Sequence, residues 1–498
     1  MKRIIYPILA VSFLMISASC EKNPAPVVPE PEEEQVIFNT NEIGSGVQEF
    51  EITKDYTLKK GTYLLKGWVY VTAGATLTIE AGTVIKGDKA TKAALIVEKG
   101  AKIIARGTAD LPIVFTSAQP AGQRKPGDWG GVIICGNATN NKSEMIIEGG
   151  PRSKHGGNND ADNSGVLSHI RIEFAGYPFK ADQEINGLTL GSVGSGTTID
   201  HIQVSYSNDD SFEWFGGTVN AKYIISYHGW DDDFDTDAGF RGNIQFALGI
   251  RHPKIADKSI SNGFESDNNS DAPNQLPITR PVFSNVTLIG AAAQDTRFEN
   301  TTAYIDAGEF NPNNGSKLGQ HQAAIQIRRG SNLHCFNSVA SGYPVGLMIC
   351  NDKGSQTQSA ATDGRLTLKN IVFGGMKITG SDKDASFKDS LSVNSSTFDK
   401  TAAESFSSSY FKLAGLTNLQ FATSEGLMLK QPVSIAAGAN WGPVAGSPLT
   451  GKENLFSDNI LSSSFFDKVN FIGAFRSDAA ADNWTLKWAN FDPQNTAY

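Results

Sequence analysis

One feature restricts the fold of this 498-residue chain more than any other: it overlays on itself at short intervals. Asp209-Asp210-Ser211-Phe212-Glu213 matches Asp231-Asp232-Asp233-Phe234-Asp235 at an offset of 22, and Gly217 falls on Gly239 at the same offset. Asn262-Gly263-Phe264-Glu265 is a third copy, 30 residues further on. A second motif, Asn or His followed by β-formers, recurs as His169-Ile170-Arg171-Ile172, His201-Ile202-Gln203-Val204, Asn285-Val286-Thr287-Leu288 and Asn370-Ile371-Val372-Phe373. From about residue 62 the apolar runs are short, nearly alternating and broken by Gly, Asn and Asp, without a helical period. A period in the low twenties with several short strands per unit marks a β-solenoid. Each coil stacks on the last at about 4.8 Å, so equivalent side chains meet in ladders. One coil cannot bury its apolar face alone, so neighbours supply the stability. The length would otherwise suggest about three domains. The repeat predicts instead one stack of roughly a dozen coils, with 141–165 and 305–322 as side loops.

The first 20 residues have a different character. Lys2 and Arg3 precede an apolar run from Ile4 to Ile16, and Ser17-Ala18-Ser19-Cys20 follows. The run is short for a membrane span and reads as a secretory signal. Its closing Ser-Ala-Ser-Cys resembles the bacterial lipoprotein box, which implies cleavage before Cys20 and lipidation of that residue. Loss of Lys2 and Arg3 takes the formal net charge from −9 to −11. An acidic balance argues against nucleic acid as a partner. Residues 21–45 begin with the Pro/Glu-rich stretch EKNPAPVVPEPEEEQ, an extended and solvated tether. The four cysteines lack CxxC or Cys/His metal spacing; Cys335 and Cys350 could pair.

The expected organisation is a signal peptide over 1–20, the tether over 21–45, an all-β parallel β-helix over 46–385 and a C-terminal cap or accessory region over 386–498. The body resembles right-handed parallel β-helix proteins, the fold class of pectate lyases and polygalacturonases. Residues 212–217 (FEWFGG), 231–237 (DDDFDTD) and 262–268 (NGFESDN) resemble a group of Bacteroidota β-helix lipoproteins, as do the lipobox and tether. That resemblance implies an outer-membrane, lipid-anchored protein exposed at the cell surface. Trp484, Trp488 and nearby Phe residues suggest a cap over the last coil, because an open terminal coil is an unpaired sheet edge.

Chemistry concentrates in the acidic repeats. In register, Glu213, Asp235 and Glu265 form one column, and Asp237 with Asp267 another. Carboxylates one strand apart repel unless something neutralises them. Calcium, which takes six to eight oxygens, suits such a column; Arg241 or raised carboxyl pKa values are other solutions. Equally, the acids can cap turns on separate sides. A catalytic alternative uses Asp209, Asp210, Asp232 and Asp235 as acid and base on a glycosidic bond, or a calcium-bound uronate losing a proton to a basic residue. The full polygalacturonase motif set is absent. Trp214, Tyr227 and Trp230 flank the cluster and are candidates to stack on sugar rings. His169 and His201 read as ladder residues, and Gln326 with Arg328 as one outward, solvated strand face. The expected function is a non-enzymatic binding or adhesion scaffold for extracellular glycan or an envelope protein, with calcium as the candidate cofactor. A polysaccharide lyase or glycoside hydrolase is the alternative, and a structural accessory of an outer-membrane complex the second.

Overall fold

The computed structural model describes residues 41–47, 49–142, 144–179, 184–383, 404–430 and 439–498. Cys20 and the tether up to residue 40 lie outside them. Nearly every strand pairing is parallel, and successive coils join two long sheets of 15 and 11 described strands. The second sheet carries one strand per coil, close to the dozen coils expected. The register is the one the repeat requires: Phe212 pairs with Phe234 and Phe234 with Phe264. Their rings stack inside at 5.7 and 5.5 Å between centroids. Gly217 and Gly239 both adopt positive φ, +88° and +86°, a turn conformation that a side chain would strain. The fold is therefore an all-β parallel β-helix.

The first coils have three strands each. Tyr56–Leu58, Thr76–Ile79 and Lys102–Arg106 form a stack of their own beside Thr62–Leu65, Val84–Gly87 and Ile113–Ser117. The strand Gly165–Glu173 pairs with both stacks at once, its first half on Lys102–Arg106 and its second on Ile113–Ser117. From there on, two short strands are fused into one that bends at its centre. The bend residue has positive φ in every such coil: His169, His201, Tyr223, Phe246, Asn285, Asn337 and Asn370. The left-handed region favours Asn and His among non-glycine residues, which explains the recurring motif. The aromatic members stack, with His169–His201 at 4.3 Å, His201–Tyr223 at 4.5 Å and Tyr223–Phe246 at 5.0 Å.

The C-terminal region has two roles. Helix Phe406–Phe411 closes the last coil, with Phe411 stacked on Phe373 at 4.5 Å and the Tyr410 hydroxyl donating to Leu366 O at 3.3 Å. Residues 439–498 do something else. Leu449 and Ile472 pack on Val339 and Val372, Phe471 meets Phe246, and Trp488 faces His201 at 5.4 Å. Asn490 N donates to Gln203 Oε1 at 2.7 Å, and the Tyr498 hydroxyl donates to Glu173 Oε1 at 2.6 Å. This strap runs back along the bent sheet, against the order of the coils. Trp484 and Trp488 thus cover the line of bends, not the last coil. They pack there because that line offers flat aromatic faces, while their indole N–H groups donate to carbonyls within the strap.

The side loop after Cys135 carries an antiparallel hairpin, Met145–Ile146 with Lys154–His155. Its Ile147 joins Trp68, Tyr70, Ile96 and Ile133 in an apolar cluster outside the second sheet. Arg152 fastens it, bonded to Glu49, Glu51 and Glu98 and lying over the Tyr70 ring. Cys335 faces the main core and Cys350 a separate cluster, and no disulfide joins them. Among the described residues, no helix is long and apolar enough to cross a membrane.

Candidate functional site

Alternation along the second sheet sorts each strand into inward and outward residues. On Phe212–Phe215, Phe212 and Trp214 face the core; on Phe234–Asp237, Phe234 does. The outward column is then Thr189, Glu213, Asp235, Glu265 and Gln326, each paired with the next. Phe215 pairs with Asp237 beside it. At the preceding corner Asp210, Asp232 and Asn262 form a third ladder. Asp210 Oδ1 accepts from Asp232 N at 2.7 Å, and Asp232 Oδ1 accepts from Asn262 N. Asp210 and Asp232, candidates for acid and base, therefore also hold successive turns together.

The column opens into a cavity of about 480 Å³. The hairpin borders it with Met145, Ile146, Glu148 and His155, and Arg328 and Arg329 stand at the other end. Arg328 donates to Glu265 and, through Nε at 3.0 Å, to Asp267. Arg329 reaches Asp267 at 2.5 Å and Asp352 at 3.3 Å. Arg328 is thus a half-buried partner of the acid column and not a solvated strand face. Lys142 approaches Asp237 at 3.9 Å. Arg241 plays no part, since it pairs with Asp160 at 3.1 Å. The predicted acid set is consequently divided. Glu265 and Asp267 are engaged by arginines, whereas Asp210, Glu213 and Asp235 converge, with one oxygen from each within 4.8 Å of the others. Asp209, Asp210 and Asp231 form an adjoining group of the same size.

Burial without matching positive charge sets the electrostatics here. Desolvation first, and neighbouring carboxylates second, push Asp209, Asp210, Glu213 and Asp235 well above the usual carboxylate range. Desolvation raises Glu148 to about 7 and Asp237 to about 6. Asn186 Nδ2 donates to Glu213, while Asp235 Oδ1 is buried with no hydrogen-bond partner. Three carboxylates, one with an oxygen left unsatisfied, are the hard oxygen donors that calcium or magnesium takes. The donor set fits such an ion. His155 is buried, with Nδ1 at 2.9 Å from Ser192 Oγ, and burial lowers its pKa to about 3, so its ring is neutral.

The aromatic candidates lie elsewhere. Trp214 is fully buried, between Phe212 and Phe240. Tyr227 and Trp230 are buried in the cluster beneath the strap, Tyr227 against Phe491. None offers a face to a sugar ring, because Trp214 shares the inward parity of Phe212 and the other two are fully buried. Asp233 lies apart from the pocket in a buried ion pair with Arg251 at 3.1 Å. Sequence reasoning did not single out Glu148, His155, Lys142 or Arg329 for this site. The odd–even spacing of Gln326 and Arg328 was the one available signal for the arginine end.

No curated protein matches the chain. Among solved structures, the Dettilon tailspike protein (gp208) is similar at 10% identity and a TM-score of 0.24, over 66% of this chain. The match spans 60% of the length of that tailspike chain. The family model described as the pectate-lyase-like β-helix domain matches residues 50–412, most of the coil stack. With coils, register and inward ladders in place over that span, the chain belongs to the pectate-lyase-like β-helix domain family.

Proposed function

We propose that this protein is a non-enzymatic glycan-binding scaffold at the cell surface, lipid-anchored through Cys20, whose acid–arginine pocket takes a divalent cation and through it an acidic sugar. The convergence of Asp210, Glu213 and Asp235 within 4.8 Å carries this reading. Calcium is the cation that this donor chemistry favours, and Asp237 borders the same cavity. A bound cation supplies positive charge for the carboxylate of a uronic acid. The chain's own residues position it: the coil backbone fixes the column, and Asn186 orients Glu213. Arg328 and Arg329 close one end while held in ion pairs. A proton-abstracting base is hard to draw from arginines bridged between carboxylates, which supports binding over lyase chemistry. One observation favours the enzyme alternative: Glu148 at about 7 beside Glu213 has the properties of a general acid.

A glycan array with and without chelator tests the proposal. Binding to acidic glycans is expected with calcium, and its loss with chelator or in Glu213→Gln/Asp235→Asn. Chelator-insensitive binding overturns the cation's role. Release of reducing ends or unsaturated uronates overturns the non-enzymatic reading.

A further inference from the structure

A second group of donors lies on the other sheet, away from the acid pocket. His169 and His201 are the bend residues of Gly165–Glu173 and Thr198–Ser205, and Asp200 immediately precedes the second. One donor atom from each of the three lies within 4.8 Å of the others. We propose that His169, His201 and Asp200 form a divalent transition-metal site joining two adjacent coils.

Several observations converge on it. The rings are parallel within 5° and 4.3 Å apart. His201 Nδ1 lies 2.8 Å from Asp200 Oδ2, and His169 Nδ1 lies 3.0 Å from Ser168 Oγ. His201 Nδ1 and Asp200 Oδ2 are thus spaced as two ligands of one ion, the imidazole proton giving way to the metal, while the Ser168 hydroxyl steadies the His169 ring. The site is accessible, with side-chain exposures of 19% for His201 and 35% for Asp200. Lys222, the cross-strand neighbour of Asp200, points its charge at Asp467 instead, at 2.8 Å. Two imidazole nitrogens and one carboxylate suit zinc, nickel or copper, not calcium. Bonds of about 2.1 Å in tetrahedral geometry space ligands about 3.4 Å apart, so the two rings tilt toward each other on binding.

The experiment uses the full chain with excess calcium, so that the acid pocket is saturated by its preferred ion. Zinc binding is followed by calorimetry and copper binding by tryptophan quenching, since Trp488 lies 6.0 and 5.4 Å from the two rings. His155, His228, His321 and His334 are buried, which leaves His252 as the other half-buried histidine and His252→Asn as the control. The test variant is His169→Asn/His201→Asn, because asparagine fills this bend at positions 285, 337 and 370 with the same positive φ. One zinc per chain is expected, weakened at least about 100-fold in the double variant and unchanged in His252→Asn and Glu213→Gln/Asp235→Asn. Equal zinc affinity in a double variant that melts like the parent overturns the site. Absence of zinc binding by the parent chain does so too.

Discussion

At the scale of the residue, the acid column stores unfavourable charge. Glu148 and Asp237 titrate in the folded chain at about 7 and about 6, against ordinary values of 4.5 and 3.8. Between about pH 4 and pH 7 the folded chain therefore holds protons that the unfolded chain has released. Their contribution is greatest below that window and is lost as pH rises through it. At ~1.4 kcal/mol per pH unit, and with repulsion shared between the two groups, the loss is on the order of 3 kcal/mol. Urea unfolding in chelator at pH 4.5, 6 and 8 should show parent stability falling relative to Glu148→Gln/Asp237→Asn, and calcium should flatten the difference. The column itself was legible: offsets of 22 and 30 place Glu213, Asp235 and Glu265 in register without any structure. Its neutralising partners were not. Arg328 lies 63 residues from Glu265, and Glu148 arrives on a side loop, whose docking no local pattern encodes. Trp214 was misplaced although its parity with Phe212 pointed inward.

At the scale of the element, the bent strand is the device that lets each long strand turn a corner without a loop. Asn285 shows how it is held. Its Nδ2 donates to Phe471 O at 2.9 Å, and its Oδ1 accepts from Gln245 Nε2 at 3.1 Å and Ser284 Oγ at 3.0 Å. Replacement tests backbone and side chain separately. Asn285→Gly keeps the φ of +58° and loses the hydrogen bonds, a cost of about 2 kcal/mol. Asn285→Val adds backbone strain of about 1–2 kcal/mol and is expected to be worse. The order parent, Gly, Val in chemical denaturation is the check, and an equal loss for both would mean that φ carries no weight. The motif of Asn or His before β-formers was visible in sequence. Tyr223 and Phe246 hide two members of the same line, because aromatic residues at that position read as ordinary strand residues.

At the scale of the whole described body, a coil stack interacts only with near neighbours and is prone to unfold piecemeal. The strap alters that by touching many coils, from Val372 near one end to Glu173 and, through Lys86 Nζ on Tyr498 O at 2.8 Å, the early coils. Trp484→Ala/Trp488→Ala removes the aromatic contacts at its centre, at a cost of about 3 kcal/mol or more. We expect the single unfolding transition of the parent to separate into two, with amides of the bent strands exchanging before those around Phe212 and Phe234. Hydrogen exchange and urea titration read this directly. Sequence showed the strap's aromatic content but not its path, since no repeat links residues 439–498 to the coils they cover.

The strap also has a temporal consequence. It leaves the ribosome after every coil it touches, so the imidazole, phenol and amide faces along the bends are bare while the coils assemble. Until the strap docks, that stripe is a sticky surface awaiting its cover. Truncation in the last sixty residues would therefore be felt first as clumping while the chain folds, before any loss of affinity could be measured.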